Sequence, residues 1–193
     1  MAVISNGTTI ADAGAFTASL GSLVLIKTLT ASSSGTLSFV DGASSVVLDN
    51  TYPIYKFVFI NIHPSASSEL SFNGSDDTSS HSYDIEKTTT AFYSFHREDD
   101  GGSTGVNYVT SGDLANGTGV QKLTVDADND NDSGQSGYLY LFNPSSTTFV
   151  KHFISEGSSY QHQNIAIHQF NAGYFNTTSA IAVSYTHLTL PTN

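Results

Sequence analysis

An all-β fold, an antiparallel β-sandwich of jelly-roll-like character, is predicted by three features of the sequence. Short runs of β-branched and aromatic residues recur along the chain, Gly, Asn, Asp and Ser fill the gaps between them, and no run carries a helical apolar period. The clearest run is residues 51–64, TYPIYKFVFINIHP. Both of its alternating sets are apolar, with Ile54, Val58, Ile60 and Ile62 on one side and Tyr55, Phe57 and Phe59 on the other, as in a strand covered on both faces. Pro53 and Pro64 bound it, because proline cannot donate a ladder hydrogen bond from a central position. One face needs a second sheet, and the other needs loops or another subunit.

The remaining elements follow in order. Residues 1–19 are rich in small residues and turn chemistry and predict an extended arm ahead of a single β-sandwich domain at 20–182. Residues 20–30 carry Leu23, Val24, Leu25, Ile26 and Leu29 and predict the first strong strand, with Leu37 and Phe39 on a half-buried return. Leu70 and Phe72 flank Ser71 in another alternating strand. The threonines at 88–90 stiffen χ1 and favour a pleated surface through His96. Residues 112–119 read as a long connection and 121–125 as a weak strand. Residues 138–142 and 149–154 form a strand pair around Asn143 and Pro144, and 164–170 is a further strand.

Composition bounds the function. A chain of 193 residues fits one domain and, at 38% hydrophobic and 11% aromatic, has enough apolar side chain for a core. Its formal net charge of −11, with only 6 Lys plus Arg, repels a phosphate backbone, so nucleic acid is not an expected partner. Without cysteine, neither disulfides nor thiolate metal sites hold the fold. The one signal-like apolar run, 20–26, lacks a basic lead and is too short to span a bilayer. The expectation is a protein made in a cytoplasm and released by lysis.

Residues 1–15 (MAVISNGTTIADAGA), 23–40, 48–79, 138–154 (YLYLFNPSSTTFVKHFI) and 173–181 (GYFNTTSAI) resemble a family of virion or tail-appendage proteins of marine bacteriophages. That resemblance implies a β-rich virion component whose partners are other virion proteins and copies of itself, and it carries no catalytic motif. The likeness stops after Ile181. Residues 183–192, VSYTHLTLPT, are similar to the in-frame translation of a sequencing-library adaptor, so 183–193 is expected to be a non-native tail on a domain lacking its last strands.

Three constellations are candidates for chemistry. Asp126, Asp128, Asp130 and Asp132 alternate with small polar residues, a spacing that suits Ca2+, although Asn131 and Gly137 stand where an EF-hand loop needs Gly and Glu. An acidic, solvated loop tip is the plainer reading. The scattered histidines form no HExxH pair, and no Gly-x-Ser-x-Gly elbow is present. Tyr108, Tyr160, Tyr174 and Asn164 belong to a set of rings and amides near strand ends that suits sugar stacking or packing between subunits, the latter preferred. The function expected is therefore structural, with a glycan-binding appendage module as the alternative and no enzyme activity or further cofactor.

Overall fold

The computed structural model describes residues 3–5, 8–12, 15–16, 23–102, 104–125, 127–162 and 164–188, with 3–16 and 183–188 given by backbone course alone. Its strands are β1 (Val3–Ser5), β2 (Thr8–Asp12), β3 (Ala15–Phe16), β4 (Thr36–Val40), β5 (Ile54–Ile62), β6 (Leu70–Ser75), β7 (Lys87–Arg97), β8 (Gly105–Tyr108), β9 (Gln121–Lys122), β10 (Gln135–Phe142), β11 (Lys151–Gln161), β12 (Ile165–Phe175) and β13 (Val183–Leu188). They pair antiparallel in three sheets, ordered β1-β2-β3, β5-β10-β11-β12-β7-β8 and β4-β13-β6-β9. One 3-10 turn, Thr110–Gly112, is the only helical element among the described residues. The fold is all-β, as expected. Consecutive strands of a jelly roll alternate between sheets, whereas β10, β11 and β12 follow one another within one sheet, so this strand order lacks that connectivity.

Two segments depart from expectation. Residues 23–30 run without strand pairing, and Leu23, Val24 and Leu25 stand 67%, 48% and 82% exposed. Apolar β-formers nominate a strand, but a strand exists only with a ladder partner, and β4 takes β13 as its partner instead. β5, read from sequence as covered on both faces, lies at the edge of the six-stranded sheet with β10 as its only strand neighbour among the described residues. Its register slips between Gln135 and Gly137 opposite Ile62 and Phe59, and Asn61 adopts φ 49°. This bulge turns Ile62, grouped by alternation with Ile54, Val58 and Ile60, inward onto the core. The backbone of residues 183–188, within the expected non-native tail, runs as β13 between β4 and β6. Residues 3–5, 8–12 and 15–16 form the small sheet β1-β2-β3.

The core sits between the inner face of the six-stranded sheet and β4 and β6. Tyr55, Phe57, Phe59, Leu139, Leu141, Phe153 and Phe175 face Leu70 and Phe72, with Val46, Leu48, Leu123 and Ile181 closing it from the loops. Phe72 wedges between Phe153 and Phe175 at centroid distances of 5.3 and 5.4 Å, and Phe39 packs edge-on to Phe57 at 5.4 Å. Such offset ring pairs add about 0.5–1.5 kcal/mol each beyond area burial.

Toward the other end the same face becomes polar. Gln121, Gln135, Gln169, Asn171 and Ser155 are buried there. Asn171 donates to Ser155 Oγ (2.9 Å) and the Leu123 carbonyl (3.3 Å), Gln169 donates to Asn171 Oδ1 (2.8 Å), and Gln135 Oε1 accepts from Leu70 N (3.1 Å). These amides hold residues 121–124, which have too little strand of their own to bond with. Glycine makes the approach possible: a Cβ on Gly157 would lie 2.7 Å from Thr124 Cγ2 and 2.8 Å from the Leu123 carbonyl oxygen. Gly137 sits directly opposite Gly157 across β10 and β11.

Lys87 is fully buried, and its ammonium donates to Asn73 Oδ1 (2.7 Å), the Ile85 carbonyl (2.8 Å) and the Thr118 carbonyl (3.5 Å), beside the Phe175 ring. Burial pushes its pKa down to about 8. Burial, helped by Asp49, pushes the Tyr55 hydroxyl up to about 12. From these values the sign of the pH dependence follows. Between about pH 8 and 10 the unfolded chain holds a Lys87 proton that the folded chain has lost, so stability rises with pH. Above about pH 10 the unfolded Tyr55 ionises first, and its contribution is lost toward pH 12. Denaturant midpoints measured across this range are expected to climb and then fall, and Lys87→Met is expected to abolish the climb. Gly157→Ala is expected to destabilise the fold by about 1–3 kcal/mol through overpacking against Thr124, read from the same denaturation curves.

Candidate functional site

The second face of the six-stranded sheet has no covering layer among the described residues. Its side chains are set by simple alternation: where Leu139 and Leu141 point inward, Tyr138, Tyr140 and Phe142 point outward. In the same way Ile54, Lys56, Val58 and Ile60 project from β5, His152, Ile154, Glu156 and Tyr160 from β11, His168, Phe170 and Tyr174 from β12, Phe92 from β7, and Tyr108 from β8. Register then aligns them across all six strands. Val58, Tyr138, Glu156, Phe170, Phe92 and Tyr108 pair in sequence and form one transverse row.

The rings brace one another. Phe92 stacks on Phe170 at 4.9 Å, His168 contacts Phe170 at 4.2 Å, Tyr138 meets Tyr140 edge-on at 5.3 Å, and His152 meets Tyr174 at 5.8 Å. The Lys56 ammonium lies 4.7 and 5.1 Å from the Tyr138 and Tyr140 centroids. A cation at that distance is held by the ring quadrupole and fixes the rings in turn. Near the middle sits Glu156. Its carboxylate is 3.5 Å from His168 Nε2 and accepts the Tyr138 hydroxyl, a hydrogen bond that pushes the tyrosine pKa upward. Lys56 and Glu156 are the only outward strand residues here with a full charge, so the face is neutral on a chain of net charge −11.

The residues singled out from sequence fall as follows. Tyr108, Tyr160 and Tyr174 all lie on this outer face, but Tyr160 pairs with Ala166 and Tyr174 with His152. The eight residues from His152 to Tyr160 put those two rings about 27 Å apart along β11, so they form no single pocket. Asn164 serves the turn between β11 and β12: it adopts φ 59°, accepts the Tyr160 hydroxyl at 2.7 Å and takes the Glu98 N–H on its carbonyl at 3.0 Å. Asp126 lies outside the described residues. Asp128 is buried and 3.1 Å from His162 Nδ1, while Asp130 and Asp132 are exposed. Among the described residues no three acidic or imidazole groups converge as metal ligands.

The outward residues Tyr138, Tyr140, Phe142, Phe92, Phe170 and Val58 were missed as a site. Their signal was the second apolar set within each strand, which alternation alone cannot tell from a second buried face. No protein-family model, curated protein or solved structure matches this chain. The preorganisation of the rings is measurable. A double-mutant cycle on Phe92→Ala and Phe170→Ala, followed by chemical denaturation, is expected to return a coupling of about 0.5–1.5 kcal/mol.

Proposed function

We propose that this protein is a non-enzymatic structural component of a phage particle, and that it assembles by packing the aromatic face of its six-stranded sheet against the same face of a second copy. The observation that carries the reading is the row of outward side chains across all six strands, four of them aromatic rings, which no described residue covers. Six strands about 4.8 Å apart and up to 11 residues long make a face of roughly 800 Å2, the area each partner contributes to a stable protein interface. Two such neutral faces meet without the repulsion that acidic surfaces would impose. The segments resembling phage virion proteins support the location.

The cluster of Tyr138, Glu156 and His168 favours a second reading, a glycan stacked along the row with its hydroxyls on these polar atoms. Sedimentation analysis separates the two. The wild type is expected to associate with a Kd near the micromolar range, and Phe92→Asp and Val58→Asp to weaken association at least about tenfold; Val58→Asp leaves Tm unchanged because that side chain is exposed, whereas Phe92→Asp also lowers it by losing the stack on Phe170. A monomer at every concentration, or association indifferent to both substitutions, overturns the assembly reading. Glycan-array binding lost in Tyr138→Ala would replace it.

A further inference from the structure

A groove of about 800 Å3 lies between residues 23–34 and β5, at the Val58 end of the transverse row. Its floor is apolar, formed by Phe57, Phe59, Phe39, Val46 and Leu70. Two of its features concern a missing occupant. Among the described residues β5 has a strand neighbour on one side only, so the N–H and C=O groups that every second residue of its nine directs to the groove side lack a strand partner there. The facing segment is made of strong β-formers, including Leu23, Val24 and Leu25, that run unpaired and largely exposed.

A third feature gives the occupant its chemistry. The groove is lined by Lys27 and Lys56 and by no acidic residue, on a chain with 6 basic and 17 acidic side chains. Against the general acidity of the molecule this is a local positive site. We infer that the groove accepts a β-strand from a partner protein: an extended segment of alternating apolar residues, flanked by carboxylates, that hydrogen-bonds to the free edge of β5. The backbone ladder supplies affinity and the alternate apolar side chains fill the floor, while the two lysines select an acidic flank over a basic one. An exposed edge beside an apolar trough is otherwise an aggregation hazard. Occupation removes that hazard. Because the groove shares Lys56 and Val58 with the outer face, the added strand and the face-to-face dimer meet at this rim and compete for it.

The test uses the whole chain and three fluorescent peptides of about nine residues with alternating Val and Thr, matched to β5 in length. One carries Asp-Asp at each end, one Lys-Lys, and one repeats the acidic flanks with alternate backbone amides N-methylated along one edge. Anisotropy is expected to show the acidic peptide binding at least about tenfold tighter than the basic one, with the difference shrinking as salt rises. The N-methylated peptide is expected not to bind. Lys27→Glu is expected to reverse the preference between flanks without changing Tm. Equal binding of both flanked peptides, retained binding after N-methylation, or no binding at all overturns the inference. So does displacement of the probe by a peptide of residues 1–22 or by excess unlabelled Phe92→Asp protein, which would assign the groove to this chain's own arm or to a second copy.

Discussion

Burial of one face of the six-stranded sheet is the constraint from which the other features follow. Phe72 of β6 sits between Phe153 and Phe175, and that contact sets where the second layer lies over the first. With it in place, the apolar end of the inner face is covered by β4 and β6. The opposite end must be covered by residues 121–124, which carry little strand. Side-chain amides from Gln135, Gln169 and Asn171 supply the hydrogen bonds that a ladder would otherwise make, and Gly157 supplies the room. The interior is thus a sandwich whose two halves are held by different forces.

Uneven coverage has an external counterpart. A six-stranded sheet has two faces of equal extent, and the second layer is narrower than the first and lies on one side only. The uncovered face is rich in Tyr, Phe and Ile yet carries only Lys56 and Glu156 as full charges, both engaged by rings or by Tyr138 and His168. Exposed aromatic side chains that already contact one another lose little rotamer freedom when a partner arrives. Rings held in this way favour a recognition surface over a fluid apolar patch. The β5 rim, where the sheet ends without a strand neighbour among the described residues, is the other place where the layer mismatch leaves apolar surface exposed.

Much of the fold was legible because strands declare themselves locally. Residues 138–142 alternate Tyr and Phe with Leu, and they form β10 with Leu139 and Leu141 fully buried; the threonines at 88–90 do lie in β7. The candidate site was less legible. Tyr108 and Tyr174 were singled out as near strand ends, whereas the grouping of the rings depends on register, which joins Phe92 to Phe170 across strands far apart in sequence and Tyr138 to Glu156 across neighbouring ones. Asn164, picked for its amide, has a turn to hold.

Residue order by itself determined the class: β-branched and aromatic runs broken by Gly, Asn and Ser can bury apolar surface only as pleated layers, and the absence of cysteine left packing to hold them. Tertiary structure decided which of the two apolar faces of each strand is covered, which strand ends at an edge, and where a bulge at Asn61 reverses the alternation. The physical reason is that period-two patterning identifies a strand's faces without ranking them. The ranking comes from the neighbours that pairing and packing bring, and those contacts lie far apart along the chain.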